Sequence, residues 1–132
     1  MTLTGHCHCG AVHFSVEGEP VRMAQCHCNA CRRLTGTGHI VQAFFKKDQV
    51  TTTGETRAYK SVTDRGNERV TQFCGTCGSR LFSENSRNPT VIGIAVGTFD
   101  NSDWFKPEVI LYGAERPIWD FIDPTIDLHE MM

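Results

Sequence analysis

The chain has 132 residues, 39% hydrophobic and 21% charged, with a net charge of −2. That size suits one domain able to bury a sizeable core, and the composition is that of an ordinary soluble globular protein. The slightly acidic balance argues against nucleic acid as a partner, and no apolar run approaches the ~20 residues of a membrane span.

The N-terminal MTLTGHCHCG lacks the basic and apolar regions of a secretory leader. The chain has seven cysteines, an odd number, several of them two residues apart. Both features favour reduced thiols and a cytoplasmic setting over a disulfide scaffold. Next comes GAVHFSVEG, where Val12, Phe14 and Val16 alternate with Ala11, His13 and Ser15. This period of two predicts a half-buried strand. QCHCNACRRLTG follows at 25–36 and contains a short helix over 29–35, with Asn29 placed to cap it and Gly36 to stop it. Further strands are predicted at 39–47, 56–62, 68–74, 79–84, 90–99 and 108–113. Turn-rich clusters such as TTGET, TDRGN, ENSRNP and DNSD separate them. No linker or repeat interrupts the pattern. It predicts a single domain over 1–132, mainly β, of short strands with at most one or two short helices.

The cysteines fall into three clusters: Cys7 and Cys9; Cys26, Cys28 and Cys31; and Cys74 and Cys77. CGTCG at 74–78 has the two-residue gap of a zinc knuckle, which supplies two of the four ligands that structural zinc takes. Cys7 and Cys9 can supply the other two, as neighbours on one face of an extended segment. Seven then divides into a closed four-thiolate site and a three-thiolate site. The other pairing joins Cys74 and Cys77 with two of the middle cluster and leaves three scattered thiols. A filled tetrahedron of four thiolates ties the fold together. Three thiolates leave one position of the tetrahedron for chemistry, unless His6, His8, His27 or His39 closes it into a second structural site. His27, between two ligands in an extended segment, is expected to face the other way, as a core histidine or one behind the metal.

The motifs CHCGAV at 7–12, CHCNACRRLTG at 26–36, FCGTCGSRL at 73–81, GTFD at 97–100 and RPIW at 116–119 resemble the glutathione-dependent formaldehyde-activating enzyme family, which also includes centromere protein V. The resemblance runs in order over nearly the whole chain. It implies a β-tent, a set of antiparallel sheets organised around zinc. It implies two zinc ions per chain: a structural one on Cys7, Cys9, Cys74 and Cys77, and a catalytic one, held more weakly, on Cys26, Cys28 and Cys31. The activity it implies is that of a zinc-dependent carbon–sulfur lyase, joining glutathione and formaldehyde into S-hydroxymethylglutathione or reversing that step. A small-molecule thiol such as glutathione is then the partner.

Arg32, Arg33 and Arg80 are candidates to hold a substrate carboxylate, although each is individually more typical of a solvated surface. Asp100 is a candidate base, with a turn-forming role the more common one for Asp before Asn101. Phe44, Phe45, Phe73, Phe82 and Trp119 read as core. The rival to an enzyme is a zinc-stabilised binding module that docks a partner at the three-cysteine site or the adjacent surface. A cavity beside that group favours the enzyme; a histidine closing it favours the module.

Overall fold

A computed structural model of the protein describes residues 1–132. Strands β1 (Thr2–His6), β2 (His13–Glu17) and β5 (Val50–Thr53) form a small antiparallel sheet in the order β1-β2-β5. The larger sheet comprises β3 (Arg22–Cys26), β4 (Ile40–Lys46), β6 (Thr56–Val62), β7 (Glu68–Cys74), β8 (Arg80–Asn85), β9 (Val91–Ala95), β10 (Val109–Leu111) and β11 (Asp127–Leu128). Their order is β11-β10-β3-β4-β9-β8-β7-β6. One α-helix, α1 (Asn29–Thr35), joins β3 to β4. The molecule is therefore mainly β with one short helix, as the strand-period patterning predicts, and consistent with a β-tent.

The order is not wholly antiparallel. β10 runs parallel to β3 and to β11. This pairing brings the C-terminal segment beside the Cys26 end of β3, with Leu111 opposite Cys26. The strand expected at 90–99 ends at Ala95, and Val96–Thr98 turns as a single 3-10 step. β1, β3, β5 and β11 are additions to the predicted set. In β1, Leu3 and Gly5 both face inward. Gly5 sits where a Cβ would fall 2.3 Å from the Phe14 ring and 2.3 Å from the Thr98 carbonyl oxygen. A residue that reads as a strand breaker is thus the one that allows the strand to approach.

Two apolar clusters form the interior. The first joins the sheets through Val12, Phe14, Val16, Phe45, Leu81, Phe82 and Ile94, and includes Cys7 and Cys74. The second is smaller and holds Cys28 and Cys31 among Ala24, Ile40, Val109 and Leu111. Each contains two sulfurs of one cysteine group. Phe45 and Phe82 are buried as expected, while Phe44 and Phe73 are half-buried. Trp119 departs from expectation: it lies 63% exposed. Its place against the core is taken by Trp104, which meets Phe99 edge to face. Pro117–Asp120 folds as a turn, and the turn carries Trp119 outward. No helix is long and apolar enough to cross a membrane.

Candidate metal centres

Cys7, Cys9, Cys74 and Cys77 converge, their sulfurs all within 4.8 Å of one another. The Cys7–Cys9 sulfurs are 3.7 Å apart and the Cys9–Cys74 sulfurs 3.8 Å apart. Sulfurs at the corners of a zinc tetrahedron, with Zn–S of about 2.3 Å, stand about 3.8 Å apart. A disulfide needs about 2.05 Å, and all seven cysteines are free. The expected extended segment at 7–9 is in fact a turn, closed by Cys7 N–H to Val12 O and Gly10 N–H to Cys7 O. The turn is what brings two sulfurs two residues apart into contact range. An extended chain would hold them farther apart.

Backbone amides aim at these sulfurs. Val12 N–H donates to Cys7 Sγ at 3.3 Å, and the Thr76 and Cys77 amides donate to Cys74 Sγ at 3.3 and 3.4 Å. Gly78 takes the left-handed conformation, φ 79°, that closes the knuckle. Hydrogen bonds from the Ser79 side chain and backbone pull the Cys77 thiol down to about 5. Donors directed at sulfur favour the thiolate form that binds metal.

Cys26, Cys28 and Cys31 form a second group within the same 4.8 Å limit, and no histidine joins it. Cys26 ends β3. Cys28, not Asn29, caps α1: its backbone is extended and its sulfur accepts the Cys31 N–H at 3.2 Å. A sulfur here does what a Ser or Asp oxygen does at most helix starts. Asn29 instead accepts a hydrogen bond from Arg32. Gly36 ends the helix in the left-handed conformation as expected.

The ionisation of this trio bears on what it can hold. Hydrogen bonds from Cys26 and Cys31 bring Cys28 down to about 2, aided by the Cys31 amide and Arg69 against the effect of burial. Its bonds with Cys28 and Cys31, and then burial, push Cys26 far above the ordinary thiol range. Cys31 is lowered by its bond with Cys26, but Cys28 and burial outweigh that and raise it to about 11. Packed together, the three sulfurs oppose one another's ionisation, so that Cys26 and Cys31 are raised while Cys28 is lowered. A divalent cation between the sulfurs is what allows three thiolates to coexist. The donor set therefore fits zinc, which favours sulfur ligands.

Cys26 and Cys31 open onto a cavity of about 340 Å³. Its apolar wall includes Ala24, Phe44 and Leu111, and Tyr112 and Met132 also line it. Of the candidate arginines only Arg80 reaches it; Arg32 and Arg33 lie elsewhere on α1. Arg22, Arg65, Arg69 and Arg87 also border it. No motif marks these four in the sequence, because antiparallel pairing of distant strands brings them together. Asp100 stands outside the cavity, half-exposed, accepting from Thr4 Oγ1 at 2.7 Å and lying 3.5 Å from His6.

A third cluster is not legible from spacing. His39 Nδ1 hydrogen-bonds Asp120 Oδ2 at 2.7 Å across 81 residues. His27, fully buried, places Nδ1 2.9 Å from the same oxygen but off the line of a hydrogen bond. Its Nε2 lies 2.9 Å from the Gln25 amide. His27 thus faces away from the cysteines that flank it, as the alternation predicts, and His39 is engaged by Asp120. His6 pairs with Asp100.

Comparison with known proteins gives a consistent picture. Residues 2–115 match the family described as glutathione-dependent formaldehyde-activating enzyme. A Halomonas elongata protein provisionally named for that activity is 31% identical over 127 residues, covering 90% of this chain and 80% of its own. An uncharacterized lyase of Schizosaccharomyces pombe is 30% identical over 104 residues, covering 73% of each chain. A Rhodobacter sphaeroides protein of known crystal structure superposes with a TM-score of 0.60 at 26% identity, covering 74% of this chain and 88% of that one.

Proposed function

The chain belongs to the glutathione-dependent formaldehyde-activating enzyme family, and from that premise we propose that it is a zinc-dependent carbon–sulfur lyase. Its substrate is a thiol–aldehyde adduct: S-hydroxymethylglutathione, made from or returned to glutathione and formaldehyde, or a close relative. One observation carries this reading. Cys26, Cys28 and Cys31 converge without a histidine, and two of them line the wall of a cavity large enough for a small molecule. A purely structural site would be closed on all sides.

Zinc on the three cysteines would supply positive charge that favours the thiolate form of a fourth, incoming sulfur. The chain supplies the rest. The amide of Cys31 holds the Cys28 sulfur in place at 3.2 Å. Ala24, Phe44 and Leu111 keep part of the wall dry, which strengthens every charge interaction within. In the forward sense the C–S bond forms as the C=O π pair moves onto oxygen. That oxygen takes up the proton the thiol gave up. In the reverse sense the same bonds break.

The test is exchange NMR of glutathione with formaldehyde, with and without the purified protein. The proposal expects faster exchange than in the spontaneous reaction, and Cys31→Ser to abolish the gain. Equal rates with and without protein would remove the lyase assignment. The four-cysteine group, in this reading, holds a structural zinc that takes no part in the reaction.

A further inference from the structure

Five arginines border the cavity: Arg22, Arg65, Arg69, Arg80 and Arg87. Only two acidic side chains do, Asp64 and Glu84, and both are engaged. Asp64 accepts from the Tyr112 hydroxyl, and Glu84 accepts from Gln72 and pairs with Lys47. None of the five arginines takes part in an ion pair with an acidic side chain. The chain as a whole is slightly acidic, so this is a local concentration of unpaired positive charge.

Arg80 is the extreme case. Its Nε and Nη1 are buried and have no hydrogen-bond partner. A buried donor left unpaired costs about 1–3 kcal/mol, more when charged. Burial disfavours its charge. Arg80 lines the same cavity as the Cys26 and Cys31 sulfurs, and the guanidinium of Arg69 borders it as well.

An anion that satisfies Arg80 must lie close to the reacting sulfur. The carboxylates of glutathione do not: each is separated from the sulfur by at least the length of a peptide linkage. They suit the exposed rim arginines Arg22, Arg65 and Arg87. A carboxylate on the carbon that bears the sulfur is one supplied by the carbonyl partner.

Resting on the lyase reading of the three-cysteine group, we propose that Arg80, backed by Arg69, receives a carboxylate carried by the carbonyl substrate. The preferred electrophile is then a 2-oxo acid, of which glyoxylate is the smallest, in place of a bare aldehyde. The planar guanidinium fork matches a carboxylate bidentately. The step balances without an oxidant or reductant. The thiol S–H adds across the 2-oxo C=O, the C–S bond forms, the π pair goes to oxygen, and the thiol proton ends on that oxygen.

Binding tests the geometry without catalysis. Mercaptoacetate carries a carboxylate on its sulfur-bearing carbon; 2-mercaptoethanol is its neutral counterpart. By titration calorimetry on the purified protein, mercaptoacetate should bind about tenfold or more tightly than 2-mercaptoethanol. Arg80→Gln should remove most of that preference, and Arg69→Gln part of it. Equal affinity for the two thiols in the unsubstituted protein overturns the proposal, whatever becomes of the variants. So does a folded Arg80→Gln protein that keeps the full preference. Exchange NMR with glutathione then separates the two levels of reading. Greater acceleration with glyoxylate than with formaldehyde supports the proposal. Acceleration with formaldehyde alone overturns it and leaves the lyase reading standing. Acceleration with neither overturns both.

Discussion

The sulfurs of Cys9 and Cys74 stand 3.8 Å apart although 65 residues of chain separate them. They bring the turn after β1 to the end of β7, so that a metal held between them would tie the small sheet to the large one. Closing a loop of that length costs about 4 kcal/mol of chain entropy. Structural zinc binding releases about 10–16 kcal/mol in small zinc domains, which is ample to offset it.

The two cysteine groups should therefore respond differently to loss of one ligand. Cys74 is buried in the larger core cluster, and Cys74→Ser should lower the melting temperature by roughly 10 °C or more. Cys31→Ser should leave the circular dichroism spectrum intact while bound zinc falls by one ion per chain. Elemental analysis and thermal melts measure both. If Cys31→Ser unfolds the protein and Cys74→Ser does not, the division of roles is reversed.

The grouping of the seven cysteines into four and three is legible in the sequence because ligand counting depends only on residue type and spacing. Cys26, Cys28 and Cys31 sit within six residues, so local geometry alone brings them together. The surroundings of the site are not legible. Asp120 reaches His39, and Arg69 and Tyr112 reach the cavity, only through the pairing of distant strands, which leaves no local period. Trp119 departs for a related reason. Its apolar side chain suggests burial, but the turn at Pro117–Asp120 decides its direction. Asn29 yields the helix cap to Cys28 because the cysteine sulfur itself accepts the amide.

Gly5→Ala should destabilise the protein by about 1–3 kcal/mol, as overpacking does. The added methyl would meet both the Phe14 ring and the Thr98 carbonyl at 2.3 Å. The carbonyl belongs to backbone and yields less readily than a side chain. Urea unfolding measures the change. An unchanged midpoint would show that β1 can lift from the sheet without loss.

Asp120→Ala should cost about 1–3 kcal/mol. It removes the acceptor of His39 and the carboxylate beside buried His27. It also opens space over Gly38, where an added Cβ would lie 2.4 Å from Asp120 Oδ2. Asp127→Ala is the control. Asp127 also meets a histidine, His129 at 2.9 Å, but both are exposed, and its loss should shift stability by less than about 0.5 kcal/mol. Matched melts of the two variants decide whether burial or the pairing itself matters.

Tyr112→Phe should weaken the fold near neutral pH and abolish part of its sensitivity to alkali. Tyr112 holds a left-handed backbone at φ 57°, uncommon for a bulky residue. Its hydroxyl donates to both oxygens of Asp64 at 2.9 Å, linking β10 to the 63–67 turn. Losing that bond should cost about 1 kcal/mol at pH 8. Burial first, and then Asp64, raise the phenol to about 12, above its unfolded value of about 10. A raised folded pKa means a contribution fully present below pH 10. Above that, the unfolded chain releases a proton that the folded one keeps, and stability falls by up to about 1.4 kcal/mol per pH unit until pH 12. Other titrating groups are common to both proteins and cancel in the difference. The gap between wild type and Tyr112→Phe in urea midpoint should therefore narrow between pH 10 and pH 11. Parallel curves over that interval would show that Asp64 and burial do not hold the phenol protonated.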